Sequence, residues 1–201
     1  MHVHSSASFD CETDPKVVAR ECLRLGLNPV VLTDHDSIEG AQALVDAGVP
    51  TIIGQEVTTA EGEMIGLFLT QRVPAGLSPD AAIESIHEQG GLVYLEHPYD
   101  MRRRRLSDAA LDRLQSQIDV VEVYNARAGN EANRRAADLC SVLGCAAGAG
   151  SDAHTPSEIG RAYVELEPFA GARDFLVKVR SGRVVGPASR NWLRLRRLLK
   201  F

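Results

Sequence analysis

Long apolar runs, paired cysteines and an excess of positive charge are all missing from this 201-residue sequence. No stretch is apolar for long enough to cross a bilayer, so we expect no transmembrane segment. The four cysteines form no Cys-x-x-Cys pair and no secretory leader precedes them, which predicts a reduced, cytoplasmic protein. A net charge of −5 gives no general attraction for a polyanion, although it is compatible with small anionic substrates.

Internal repeats and low-complexity linkers are also missing, so a single domain is the simplest organisation. With 44% hydrophobic residues, the chain is long enough to bury a substantial core. We predict one domain over residues 1–189 and a basic amphipathic segment over residues 190–201, where leucines and Trp192 alternate with arginines and a lysine. We expect this segment to pack on the domain or on a partner subunit, with contacts to a membrane or to an anionic substrate as alternatives.

Apolar strands alternate with amphipathic helices along most of the chain. The predicted helices cover residues 15–25, 37–47, 78–89, 107–116 and 130–143, and the predicted strands cover residues 29–32, 51–54, 64–69, 92–95, 120–124 and 146–149. Asp14 and Pro15 begin the first helix and Gly26 ends it, which is typical helix-boundary chemistry. Because the strands are apolar throughout, we expect a parallel sheet that is buried on both faces.

Histidines and carboxylates fall in four short clusters, each beside the end of an apolar run. The clusters are His2 with His4, Asp34 with His35, Glu96 with His97, and Asp152 with His154. Imidazoles bind zinc, iron or manganese and carboxylates suit harder cations, so the clusters together predict a site for more than one metal ion. Strands that close into a barrel would bring such distant ligands to one mouth, whereas an open doubly wound sheet is the alternative. His87 is left as an ordinary helix-surface residue.

These motifs resemble those of the polymerase and histidinol phosphatase (PHP) domain family, a group of metal-dependent phosphoesterases. The resemblance spans most of the chain and rests on His2-Val3-His4-Ser5, Thr33-Asp34-His35-Asp36, Gly54-Gln55-Glu56, Glu96-His97-Pro98 and Ser151-Asp152-Ala153-His154. It implies an α/β fold of the PHP type, a distorted (β/α)7 TIM-like barrel. It also implies two or three divalent metal ions as cofactors, most often zinc, manganese or iron.

The resemblance further implies three metal positions. The ligands of the first would be His2, His4, Glu56 and Asp152. Glu56 would bridge to a second metal that also takes His97, and the ligands of the third would be Asp10, His35 and His154. Asp10 is alternatively a surface residue of its loop. His2 follows Met1 directly, so either the first strand is curtailed or the natural start lies upstream.

Two positions depart from the pattern of the family or vary within it. Glu63 stands where many relatives carry histidine, and a carboxylate there would favour manganese or iron over zinc. Asn125 falls where relatives vary, so it is either a metal ligand or substrate contact, or a structural residue at a strand end.

The predicted catalytic residues are Asp34, His35, Asp152 and His154. In the implied reaction a metal-activated hydroxide attacks phosphorus, and an Asp or His near the third metal assists proton transfer. Asp34 would orient His35 or a bound water, and Glu96 is equally consistent with such an outer role. A triad of Ser151, His154 and Asp152 is disfavoured because side chains within one tight turn rarely reach the required geometry.

Arginines follow several of the motifs and predict a wall that binds an anion. The candidate substrate-binding arginines are Arg102, Arg103, Arg104, Arg105, Arg127 and Arg161. A guanidinium group binds phosphate through two parallel hydrogen bonds. We expect one or two of the four consecutive arginines to face the site and the others to be solvated.

Three functions fit this pattern. The leading prediction is a hydrolase of small phosphorylated metabolites or nucleotides, because the chain is acidic and has no polymerase or nucleic-acid module. An exonuclease acting on short RNA or DNA ends is the first alternative, since the arginines and the basic segment permit it. A non-catalytic regulator that binds metal or nucleotide is the second. The sequence leaves the substrate and the oligomeric state open.

Overall fold

The computed structural model describes residues 1–187, so the predicted basic segment at 190–201 lies outside the described residues. The helices are Pro15–Arg24 (α1), Glu39–Asp46 (α2), Pro79–Glu88 (α3), Asp108–Leu114 (α4), Asn130–Leu143 (α5) and Gly171–Ser181 (α6). The strands are Val30–Leu32 (β1), Thr51–Thr59 (β2), Gly62–Leu67 (β3), Leu92–Leu95 (β4), Val120–Asn125 (β5), Ala146–Gly150 (β6), Tyr163–Glu165 (β7) and Arg183–Val185 (β8). Within residues 1–187, none of the helices is long and apolar enough to cross a membrane.

The first six strands form one sheet in chain order, and β7 pairs separately with β8. The pairs β1–β2, β4–β5 and β5–β6 are parallel, but β3 is antiparallel to both of its neighbours. The prediction of a wholly parallel sheet is therefore wrong at β3. Two residues separate Thr59 from Gly62, which is too short for a crossover helix, so β2 and β3 form a hairpin.

The predicted α/β class is confirmed, and the six strands curl into a half-barrel, but a complete (β/α)7 barrel is not confirmed. Residues 1–4 lie between the two edge strands of this sheet. The backbone N of His4 donates to Ala153 O, and the backbone N of Thr33 donates to Val3 O, both at 2.9 Å. Since Thr33 follows β1 and Ala153 follows β6, this short segment connects both edges at the end of the sheet where the motifs lie.

The central strands are covered on both faces. Val93 and Val121 pack with Ile86 of α3 on one face, and Tyr94 packs with Phe175 of α6 on the other. Adjacent strand residues point to opposite faces, so both sets of apolar side chains are buried. A sheet packed in this way gives rigid support to the residues at its strand ends.

Candidate metal centre

The residues predicted to bind metal converge beside the strand ends. His35 and His97 follow β1 and β4, Asp152 and His154 follow β6, and Glu56 lies within β2. The nine predicted ligands, called the ligand cluster below, are His2, His4, Asp10, His35, Glu56, Glu63, His97, Asp152 and His154. Each belongs to at least one group of three residues whose candidate ligand atoms lie within 4.8 Å of one another.

Glu56 lies at the centre of the ligand cluster and faces four imidazoles. Its Oε2 is 2.9 Å from His2 Nε2, 3.2 Å from His4 Nε2 and 3.8 Å from His35 Nε2, and its Oε1 is 3.5 Å from His97 Nε2. Burial raises the pKa of Glu56, but the imidazoles, His2 foremost, outweigh it and hold the pKa well below its usual range. A carboxylate whose two oxygens face different imidazoles is suited to bridge two cations.

Asp152 connects the inner histidines to an outer group of ligands. Its Oδ1 lies 3.6 Å from both His4 Nε2 and His154 Nδ1. His154 Nε2 lies 2.8 Å from Asp10 Oδ2, which is 3.5 Å from His35 Nε2. The backbone of Asp152 has a φ of 51°, in the left-handed region that non-glycine residues seldom adopt. Such backbone strain is common where a side chain must be held at a functional site.

Several buried polar atoms of this centre have no partner among the described residues. They are both carboxylate oxygens of Glu96 and the Nδ1 atoms of His35 and His97. Burial, together with the Glu56 carboxylate, raises the pKa of Glu96 well above its usual range, and burial lowers the pKa of His4 to about 4. Neutral imidazoles and carboxylates are the donors that zinc, manganese and iron take. The residues therefore fit divalent cations.

Glu122 is a buried site residue that the sequence reasoning missed. Its carboxylate accepts hydrogen bonds from Tyr94 Oη at 3.0 Å, from His97 N at 2.9 Å and from Asn125 Nδ2 at 2.9 Å. His2 Nδ1 lies 3.3 Å from it, and although burial opposes ionisation, His2 lowers the pKa of Glu122 to about 2. A carboxylate at Nδ1 keeps the proton there and leaves Nε2 facing the ligand cluster. The signal in the sequence was one acidic residue inside an apolar strand.

Asp34 and Asn125 make contacts that differ from some of their predicted roles. The carboxylate of Asp34 accepts hydrogen bonds from Ser5 N at 2.5 Å and Ser5 Oγ at 2.8 Å, so it positions the N-terminal segment rather than the His35 ring. The Asn125 Oδ1 accepts hydrogen bonds from the backbone of Arg127 and Ala128. Its Nδ2 donates to Glu122 and lies 3.3 Å from Asp152 Oδ2. These contacts favour the structural role for Asn125.

A cleft of about 180 Å³ opens over the ligand cluster. The residues that line this site cleft are Phe9, His35, Glu56, Glu63, His97, Arg102, Arg103, Arg104 and Asp152. A larger cavity of about 740 Å³, bordered by β1 and β7, contains no residue of the ligand cluster. The smaller cleft is therefore the candidate site, because it carries the chemistry.

The predicted arginines divide into two groups. Arg103 Nη2 lies 2.8 Å from Asp152 Oδ2, Arg104 Nη1 lies 3.8 Å from Glu63 Oε1, and Arg127 Nη1 lies 3.7 Å from Asp152 Oδ1. These three guanidinium groups face the ligand cluster, while Arg102 lines the cleft and pairs with Asp100 at 3.0 Å.

The other two arginines, Arg105 and Arg161, do not line the site cleft, so the structure gives no support to their predicted role. Arg105 Nη1 lies 2.6 Å from Asp108 Oδ1. Arg161 is exposed and, among residues 1–187, pairs with no member of the ligand cluster. Arg105 follows the arginines of the cleft but turns towards the start of α4, so its carboxylate partner is local.

Comparisons with known proteins are consistent with this geometry. Residues 130–184 match a family model described as PHP-associated. An uncharacterized protein of Methanocaldococcus jannaschii is 36% identical over 173 residues, which are 83% of this chain and 69% of that protein.

Two solved structures share the fold. A two-domain protein from Bacteroides vulgatus containing a predicted PHP-like metal-dependent phosphoesterase has a TM-score of 0.74 at 19% identity, covering 92% of this chain and 63% of the other. A lesion-specific endonuclease from Pyrococcus furiosus has a TM-score of 0.61 at 17% identity. The match covers 92% of this chain and 56% of the endonuclease. At these identities the likeness concerns the fold alone.

Proposed function

This chain belongs to the PHP family, and we propose that it is a metal-dependent phosphoesterase that hydrolyses small phosphorylated metabolites or nucleotides. The observation that carries the proposal is the meeting of the ligand cluster and the arginines in one cleft. A phosphate group suits this combination because its charged oxygens bind both divalent cations and guanidinium groups. Family membership supports the same class of reaction.

The proposed metal ligands fall in three sets: His2, His4, Glu56 and Asp152; Glu56, Glu63 and His97; and Asp10, His35 and His154. Cations bound there would supply Lewis acidity towards the phosphoryl oxygens and a lower pKa for the attacking water. The mixture of imidazole and carboxylate donors supports zinc, manganese or iron.

Arg103 and Arg127 would bind the phosphate. Both guanidinium groups lie beside Asp152, at 2.8 Å and 3.7 Å, so they border the place where the reacting group would lie. A phosphate presents paired oxygens to a guanidinium group in the same way as a carboxylate does. These arginines would therefore orient the phosphate against the ligand cluster.

The pair of Asp10 and His154 is the candidate for proton transfer. His154 Nε2 and Asp10 Oδ2 lie 2.8 Å apart, which is hydrogen-bond distance. If two cations bind at the inner residues, this pair can hold a proton at Nε2 and deliver it to the leaving oxygen. If a third cation binds, the pair becomes its ligand. The number of bound metals therefore decides the role of His154.

Metal content and phosphate release test the proposal together. Protein purified without chelator should contain two or three metal ions per chain by elemental mass spectrometry and should release phosphate from a panel of phosphomonoesters and nucleotides with added manganese. Asp152→Ala should lose at least one metal and lower the rate by about a hundredfold or more. Asp152 lies beside both His4 of the first ligand set and His154 of the third. Asp138→Ala, which alters an exposed carboxylate on α5, is the matched control. Absence of both metal and release would contradict the proposal.

Removal of nucleotides from short RNA or DNA ends is a second candidate reaction, which the arginines of the site cleft favour. The likeness in fold to the endonuclease is consistent with it. Release of mononucleotides from an oligonucleotide, by a preparation that is inactive on phosphomonoesters, would establish the second reaction instead. A metal-loaded protein without turnover on monoesters, diesters or oligonucleotides would indicate a regulator that binds metal or nucleotide.

A further inference from the structure

Phe9 is an exposed aromatic residue at the site cleft. Its side chain is 84% exposed, although it lines the cleft together with His35 and the arginines. An apolar ring in this position contributes little burial to the fold. The position of the ring beside a polar, charged site therefore points to a contact made with a bound molecule.

The ring of Phe9 ends a column of rings that begins inside the ligand cluster. Its centroid lies 4.9 Å from that of His35, with 32° between the planes. The His35 ring is stacked at 4.9 Å on His4, and His4 lies 4.3 Å from His154. Phe9 thus makes a tilted contact with His35, while most of the residue is open to solvent. Another planar group would extend the column at its outer end.

The side chains of both neighbours of Phe9 make hydrogen bonds at the site. Ser8 Oγ accepts a hydrogen bond from His35 N at 2.7 Å, and Asp10 lies 2.8 Å from His154 Nε2. These contacts position the segment that carries Phe9, and the contact with His35 places the ring beside the ligand cluster before any ligand arrives. A contact surface that is already ordered loses less entropy on binding.

We propose that Phe9 is a stacking platform for a planar ring in the substrate, so that the preferred substrates are phosphate esters of nucleosides. The inference rests on the proposed function, since Arg103 and the cations would hold the phosphate while Phe9 holds the base in the same cleft. Stacking a base on an aromatic side chain corresponds to about 5- to 150-fold in the dissociation constant.

Binding of two matched ligands tests the platform. The ligands are the non-hydrolysable methylenephosphonate analogues of AMP and of ribose 5-phosphate, which differ in the base. By calorimetry on the metal-loaded protein, we expect the AMP analogue to bind about 5- to 150-fold more tightly. Phe9→Ala should weaken the AMP analogue alone and remove most of this preference, whereas Phe9→Trp should retain it.

Val142→Ala is the matched control, because Val142 is 83% exposed on α5 and outside the cleft. It should leave both dissociation constants unchanged, and Phe9→Ala should melt at the wild-type temperature. Equal binding of the two analogues by the wild type, or a preference that survives in Phe9→Ala, would overturn the platform.

Phosphate release from AMP itself separates this inference from the proposed function. Release without any preference for the base would overturn the platform and leave the phosphoesterase intact. A preference that depends on Phe9, without release from any substrate, would support the platform and contradict the phosphoesterase. Neither preference nor release would overturn both.

Discussion

Arg103 and Arg105 belong to the same run of four arginines, but only Arg103 pairs with a carboxylate of the ligand cluster. Arg103 pairs with Asp152 of the ligand cluster, whereas Arg105 pairs with Asp108 at the start of α4. Arg103→Ala should raise the KM for phosphomonoesters about 10- to 100-fold, because a hydrogen bond to a charged group contributes about 1.5–3 kcal/mol. Steady-state kinetics measure the change.

Arg105→Ala is the control for that substitution, since it removes the same side chain two positions away. Its KM should stay within about twofold of the wild type because Arg105 pairs with Asp108, outside the ligand cluster, and does not line the site cleft. A raised KM in Arg105→Ala, with Arg103→Ala unaffected, would show that the anion is held by a different part of the loop.

The convergence of the ligand cluster was predictable because its histidines and Asp152 lie in short motifs beside apolar runs, and the family resemblance added Asp10, Glu56 and Glu63. The surrounding contacts were not predictable in the same way. Asp34 binds Ser5, which lies 29 positions earlier, and Glu122 lies 120 positions after His2. Such contacts depend on the order and register of the strands in the sheet, which the spacing of residues along the chain does not determine.

Helices were easier to predict than strands because their ends depend on neighbouring residues. Asp14 and Ser78 accept hydrogen bonds from backbone N–H groups in the first turns of α1 and α3, as their sequence positions indicate. The predicted strand ended at residue 54 because Gln55 and Glu56 interrupt the apolar pattern. In the structure, β2 continues to Thr59. The prediction also missed β7, α6 and β8. Unlike the equally short β1, β7 and β8 each include a charged residue and so form no continuous apolar run.

The close approach of β6 to the N-terminal segment depends on Gly150. A Cβ at this position would lie 2.1 Å from Glu122 Oε1 and 2.3 Å from His2 Cβ. Gly150→Ala should therefore lower the free energy of unfolding of the metal-free protein by about 1–3 kcal/mol, the cost of overpacking. It should also weaken metal binding, because His2 must move. Urea unfolding and a competition assay with a chromophoric chelator measure the two effects.

Gly129→Ala provides the comparison at a glycine with open space around it. No atom lies within 4 Å of a Cβ placed there, and Gly129 caps the start of α5. Its substitution should lower the free energy of unfolding by less than about 1 kcal/mol, the cost of a poorer cap, and should leave metal binding unchanged. Equal losses of stability in the two variants would argue against a close approach at Gly150.

Over the whole molecule, the ligand cluster brings together parts of the chain that are far apart in sequence. Its residues run from His2 to His154 and come from the N-terminal segment and from both edges of the six-stranded sheet. The centre also concentrates carboxylates, since Glu56 contributes to raising the pKa of both Glu63 and Glu96, after burial as the larger cause. A bound cation would relieve this repulsion and hold the edges together, so metal binding and folding should be coupled.

Removal of metal should therefore lower the stability of the whole fold. A cation present at about a hundred times its dissociation constant stabilises the folded state by about 2.7 kcal/mol, which for a chain of this length corresponds to roughly 5–11 °C in Tm. Calorimetric scans of chelated and manganese-loaded protein should differ by about this amount. The difference should shrink in Asp152→Ala, which loses a ligand shared by both groups. An identical Tm in chelator and in manganese would show that the fold is complete without a cation, so that the ligand cluster serves chemistry alone.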